Sequence, residues 1–456
     1  MLLTNLILPG RGSQKIFDVD VSDSNGKIIS IKPTTTQPQT PPSRVVPTLC
    51  HPHIHLDKPF LLTAHNEGEE LPNYLNLAPE DGSFAEALAK TGAAKSRYTA
   101  ADLLHRGSQL IAESIQAGVT SMRAFVEIDH VTKFLCVETG VELKRKFREQ
   151  CYVQLCVFAQ DPVIDDEKYG TENRTLVEEA LRRFRGRIDV LGSTPYVEGD
   201  DEKQRRNIEW AVRLAMEHGL HLDFHLDYNL KPNTKPMIWH VVEVLKRSDW
   251  TRQTKGKTVV IGHCSRLSLF STDEMEKLAK EIHDAQLPIS FVGLPTSDLF
   301  MMARPADGDW GGSRPRGTIQ VLELIRRFKL SACIGINNVG NAFTPWGSLD
   351  PLRLASLGVG LYQAGTPQDA ELLFECVSAL AQDAIGLQDI VVRSLEEGAT
   401  ALFMVVTNEK TIRINGNDTG IAARKRLSVA DMVWDPPELG QRRVIGKVKV
   451  GSQARE

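Results

Sequence analysis

Cys50-His51-Pro52-His53-Ile54-His55-Leu56-Asp57-Lys58 decides the architecture of this chain. The stretch follows directly on an apolar, β-branched run, Val45 to Leu49. Alternate residues of a strand face one way, so His53 and His55 present both imidazoles on one side. Two imidazoles so placed supply half of a transition-metal site. A barrel of parallel strands gathers its chemistry at the strands' C-terminal ends, which is where this pair falls.

Outward from that stretch, seven more segments of the same character alternate with longer stretches of helical composition. They run from Val119 to Val126, Tyr152 to Ala159, Ile188 to Thr194, Leu220 to Phe224, Thr258 to Ile261, Pro288 to Val292 and Ser331 to Ile334. Such alternation marks parallel βα units, and eight of them predict a closed (β/α)8 TIM-like barrel of the α/β class. Helices are read at Asp102 to Gln116 and Glu209 to Glu217, followed by Gly118 and Gly219. His225 ends the fifth segment in Phe224-His225-Leu226-Asp227, and His263 ends the sixth in Ile261-Gly262-His263-Cys264. Four of the twelve histidines therefore sit at the ends of strands one, five and six. That clustering favours a metal over isolated hydrogen-bonded rim residues.

The flanks read differently. Leu2 to Leu8, Ile16 to Ile31, and the tail from Leu427 through Asp431-Met432-Val433-Trp434 to Val448 read as short strands without helical periodicity. A polar tract, Pro33 to Ser43, reads as a loop leading into the barrel. The expected layout is a small discontinuous β-sandwich from residues 1–46 and 409–456, with the barrel at 47–408.

With 456 residues, 41% of them hydrophobic and 25% charged, the chain can bury a barrel core and a small second one. A net charge of −4 gives no electrostatic reason for nucleic acid or an anionic membrane as partner, and no apolar run is long enough to span a bilayer. A small neutral substrate is expected, and a homo-oligomer stays open. The seven cysteines are odd in number and form no CxxC pair, so they read as buried free thiols of a reducing compartment. MLLTNLILPG has neither a basic leader nor a cleavage site, and the expected location is cytoplasmic.

The runs HIHLDK, FHLD, GHC and GINNVGNAFTPWG, with VADMVW in the tail, resemble the signature segments of the cytosine deaminase-like branch of the amidohydrolase superfamily. The resemblance implies a hydrolase with one divalent transition metal, zinc or iron, held by His53, His55 and His225. It implies that His263 contacts the water the metal activates. Gln160, in VFAQDP, matches a substrate-amide-binding position, and its carboxamide can pair with a lactam or urea edge. Asn338, and Trp346 in a loop at the mouth running to Pro351, join it as expected substrate contacts. Arg123 and Glu127, in MRAFVEID, match the strand-two segment, where Phe125 replaces a His and is expected to make the pocket more apolar. No Lys ends segment four, where two-metal relatives carry a bridging one, so a single metal is expected.

Two positions depart from that pattern. Asn337 stands where an Asp is usual; a neutral amide cannot take a proton from water and holds a dication more weakly than an anionic oxygen. Tyr228 stands where a proton-shuttling Glu is usual. His263, Asp227, Tyr228 and Glu198 are left as groups able to handle protons, Asp227 alternatively orienting His225. Asp57 and Lys58 read equally as a structural pair, and Pro295 to Asp298 and Asp309 to Arg316 as loops shaping access. Three functions stay open: a hydrolase acting on a carbon–nitrogen bond of a small cyclic amide or amino-heterocycle, a catalytically silent barrel that binds a ligand or partner, and a barrel with repurposed lyase or hydrolase chemistry. The other zinc deaminase class is disfavoured, since no HxE precedes a PCxxC.

Overall fold

The computed structural model describes residues 1–12, 15–35, 40–63, 71–304, 315–388 and 395–448. Its centre is an eight-stranded sheet made, in order, of Leu49–His55, Val119–Glu127, Tyr152–Ala159, Val190–Ser193, His221–Leu226, Val259–His263, Ile289–Gly293 and Ser331–Ile334. Each neighbouring pair is parallel. The ring closes just past the eighth strand, where Asn337 N donates to His53 O at 3.1 Å and His55 N donates to Asn337 O at 2.9 Å. The barrel is therefore pinned shut at the HxH pair itself.

Every expected barrel segment is a strand, but the first is displaced. Val45 and Val46 belong to Ser43–Val46 of the flank sheet, and the barrel strand starts at Leu49 and takes in both histidines. Pro47, which has no N–H to give a ladder, separates the two. A second proline leaves its own mark: the register with the next strand slips between His51 and Ile54, around Pro52. The helices read at 102–116 and 209–217 are Ala100–Gln116 and Asp201–His218, and Gly219 takes the left-handed cap with φ 64°. All seven cysteines are buried free thiols. Among the described residues no helix is long and apolar enough to cross a membrane.

The flanks meet in one six-stranded sheet, ordered Arg442–Ile445, Phe403–Val406, Ser43–Val46, Leu2–Ile7, Phe17–Val21 and Ile28–Pro33. Phe403–Val406 falls inside the range 47–408 expected for the barrel, so the chain returns to the flank earlier than 409. A ribbon of Thr411–Ile414 and Asn417–Ala422 stays largely exposed, which reduces the second layer expected of a sandwich to two short strands. The tail departs from the expected strand at Val429–Trp434, which is a helix. Ser428 and Asp431 form a reciprocal capping box there, a local signal that outweighs the β-branched composition.

Candidate active site

Three imidazoles converge at the C-terminal rim of the barrel. His53 Nε2 lies 3.0 Å from His225 Nε2, and His55 Nε2 lies 3.2 Å from the same atom. All three side chains are at most 2% exposed, and none of their Nδ1 atoms has a partner in the protein. Burial is the main reason each imidazole is held well below its ordinary pKa range, with neighbouring positive charge adding to it. They are neutral, as metal ligands must be.

The surrounding sequence shapes this cluster. Phe125 packs on His53 with ring centroids 4.1 Å apart, and Phe158 on His225 at 4.3 Å. Phe125 thus lies beneath the imidazoles and is absent from the pocket wall, so it fixes ring orientation where a more apolar pocket was expected. Gly262, on the sixth strand, makes room for His53: a Cβ there would stand 3.0 Å from His53 Cε1.

Asn337 completes the rim. Its Nδ2 donates to Ser297 Oγ at 2.8 Å, and Ser297 Oγ is 2.6 Å from Thr344 Oγ1. With the amide nitrogen held, Oδ1 is buried without a partner on the side of His53 and His55. Three imidazole nitrogens and one carbonyl oxygen are a donor set for a divalent transition metal. Nitrogens about 2.0–2.1 Å from a tetrahedral zinc would stand about 3.3–3.4 Å apart, close to the spacing here. The residues therefore fit a single metal, with a neutral fourth donor.

A second polar pair stands beside the cluster. His263 Nδ1 donates to Asp298 Oδ1 at 2.7 Å, and Asp298 Oδ2 accepts from Thr318 Oγ1 at 2.7 Å and Leu294 N at 3.2 Å. Tyr228 stacks on the His263 ring at 3.8 Å between centroids, with its hydroxyl buried and unpartnered. His263 and Asn337 are held at φ 62° and 67°, in the left-handed region that only glycine enters freely. Each such residue costs of order 1 kcal/mol or more and is characteristic of functional rims.

A pocket opens over this rim. Gln160, Tyr228, His263, Asn337 and Asn338 all line it, together with His55 and His225. Trp346 does not: it is 45% exposed and is not among the described residues that line the wall. Asp227 is also elsewhere. Its carboxylate accepts from Met237 N at 2.8 Å and Ile238 N at 3.0 Å, at the start of the helix Ile238–Arg247. A φ of 48° at Asp227 accompanies this turn toward the helix, and the carboxylate neither faces the pocket nor orients His225. Glu198 is likewise occupied, accepting from Val163, Ile164 and Asp165 N and from Asn207 Nδ2. Asp57 and Lys58 are not a pair: Asp57 accepts from Glu127 N at 2.7 Å, while Lys58 joins the pocket wall and pairs with Glu127.

Asp298 and Ser297 were legible only as part of a loop, whereas they start a short helix, Pro295–Met301, and hold His263 and Asn337. Residues 309–314 of the other expected access loop lie outside the described residues. Phe84, Tyr196 and Phe343 also wall the pocket; Phe343 lies within the GINNVGNAFTPWG run, and none of the three was singled out as a site residue. Two other acidic groupings, His55 with Asp57 and Glu127 and Asp129 with His130 and Asp161, already engage lysines through Lys58 and Lys95.

The fold is a (β/α)8 barrel flanked by a discontinuous β sheet, with a histidine cluster at its rim that could hold a metal ion. No protein-family model matches the chain, and no curated protein matches it. Solved structures do share its fold. A 5-methylcytosine deaminase from Klebsiella pneumoniae, liganded with 5-fluorocytosine, is 20% identical with a TM-score of 0.75, covering 98% of this chain and 96% of its own. N-isopropylammelide isopropylaminohydrolase from Burkholderia multivorans is also 20% identical, with a TM-score of 0.68 and coverage of 98% and 96%. Guanine deaminase from C. acetobutylicum, with guanine bound, is 12% identical with a TM-score of 0.59, over 98% of this chain and 100% of its own.

Proposed function

We propose that this chain is a metal-dependent hydrolase of the amidohydrolase type, acting on a carbon–nitrogen bond of a small cyclic amide or amino-heterocycle. The observation that carries the reading is the convergence of three neutral imidazoles from two strands, 3.0 and 3.2 Å apart, beside an anchored His–Asp pair. The solved structures that share the fold, two deaminases and an aminohydrolase, support it.

His53, His55 and His225, with Asn337 Oδ1 within reach, would hold one divalent transition metal, zinc or iron. When bound, it supplies a Lewis acid and lowers the pKa of water to about 7. His263 handles the proton. Its Nδ1–H is committed to Asp298, so Nε2 is free to take a proton from water and return it to the leaving nitrogen, while Asp298 stabilises the imidazolium. Asp298 acts through His263 and is a positioning residue. Gln160 and Asn338 offer amides to the ring edge. The rings of Phe84, Tyr196, Tyr228 and Phe343 wall the cavity.

Asn337 and Tyr228, a neutral amide and a phenol at the two proton-handling positions, support a second reading: a barrel that binds a small ligand without turnover. A screen of pyrimidines, triazines and cyclic amides against the zinc- or iron-loaded protein, following ammonia release or ring opening, separates the two. The hydrolase reading expects turnover that vanishes in His53→Ala and falls about hundredfold or more in Asp298→Asn. Undiminished turnover in His53→Ala would defeat it, and binding without turnover would favour the silent barrel.

A further inference from the structure

The pocket wall is unbalanced in charge. Among the described lining residues there is no Asp or Glu, and Lys58 carries the one side-chain ammonium of that set. Lys58 is 2% exposed, so its position is fixed by the fold and not by solvent. Its Nζ is anchored by Glu127, which is not a lining residue, and lies 5.2 Å from the ring centroid of Phe343, which is. An ammonium has three donors and no acceptor. One N–H serves Glu127, the partner of Nζ among the described residues.

Glu127 does not belong to Lys58 alone. Its other oxygen lies 2.5 Å from Lys95 Nζ, and Lys95 also meets Asp129 at 2.8 Å and Asp161 at 3.2 Å. None of these carboxylates is among the residues that line the pocket. Asn338 adds to the donor surplus: its Oδ1 accepts from Asn341 Nδ2 at 2.9 Å, which leaves its own Nδ2 as the free group. The ligand set points the same way. Three imidazoles and an amide are all neutral, so a dication held by them keeps its whole double charge.

We infer that the substrate enters as a small ring compound bearing an anionic oxygen, which docks on Lys58. The small neutral substrate expected from net charge alone is replaced by an ionised cyclic imide or a ring carboxylate. This inference deepens the hydrolase reading and rests on it for the place of the reacting bond, though the docking itself is a binding property. An anionic oxygen matches the Lys58 donors and is drawn by the uncompensated metal charge, whereas a neutral ring leaves a buried ammonium short of acceptors.

The test is calorimetric binding of matched pyrimidine rings to the zinc-loaded full chain: barbiturate and orotate as anions, uracil and cytosine as uncharged counterparts. At least one anion is expected to bind about tenfold or more tightly than uracil. A response to barbiturate alone assigns the imide, and to orotate alone the carboxylate. Lys58→Met should erase the preference, at a cost in stability because Glu127 is left to share Lys95 with Asp129 and Asp161. Uracil or cytosine binding as tightly as the anions, no binding by any of the four, or a preference that survives Lys58→Met overturns the inference. If Lys58→Met does not fold, the comparison on the native chain still decides. Turnover of neutral rings with weak anion binding would remove this inference and spare the hydrolase reading; tight anion binding with no turnover of any ring would do the reverse.

Discussion

The two ends of the barrel interior treat buried polar groups in opposite ways. Toward the strands' N-terminal ends, Arg123 donates to Gln154 Oε1 at 3.1 Å, Asp223 Oδ2 at 2.8 Å and Ile385 O at 3.3 Å, and Gln154 Nε2 donates to Ile385 O at 2.8 Å. At the C-terminal rim, the Nδ1 atoms of His53, His55 and His225, Asn337 Oδ1 and the Tyr228 hydroxyl are buried without a partner in the protein. An unpaired buried polar group costs roughly 1–3 kcal/mol, and a marginally stable fold does not collect several in one place without a gain elsewhere. The lower end is built for stability, and at the rim the converging Nε2 atoms with the unpartnered Asn337 Oδ1 are set for a ligand. Asp223 marks the junction: one oxygen pairs with Arg123 and the other lies 3.9 Å from His53 Nδ1.

That contrast can be broken at either end. The largest expected effect is at the lower one. Burial already pushes the Asp223 carboxyl up to about 7 even beside the guanidinium. In Arg123→Met it loses its cation, and Gln154 and Ile385 lose a donor, so denaturant unfolding should show a loss of about 3 kcal/mol or more. A loss below about 1 kcal/mol would mean that the lower network is not what stabilises the barrel. The smaller effect is at the rim and opposite in sign. Tyr228→Phe deletes a buried hydroxyl with no partner and keeps the ring on His263, so stability should rise by up to about 1 kcal/mol with turnover retained. A collapse of turnover in that variant would instead make the phenol a proton donor and move Tyr228 from wall to chemistry.

Much of the barrel was legible because its signals are local. Buried parallel strands read as short β-branched runs, and strand-end histidines report the rim directly. The errors also have local causes. Pro47 hands Val45 and Val46 to the flank sheet, and the Ser428–Asp431 capping box turns an apparent strand into a helix. What the sequence concealed are contacts made across the fold. Asp298 reaches His263 over 35 residues and Ser297 reaches Asn337 over 40, while Phe84 joins the wall from outside the barrel strands. Asp227 looked like part of the site because it neighbours His225 in sequence, yet one left-handed residue aims its carboxylate at a helix N-terminus.

The central claim is that the rim's imidazoles grip a metal ion, and equilibrium titration of the apo chain with zinc against a competing chelator tests it most directly. The native chain should take up about one equivalent, and His225→Ala, which removes the nitrogen shared by the other two imidazoles, should lose that uptake while remaining folded. Zinc binding that is the same in both proteins, or missing from the native one, would contradict the account.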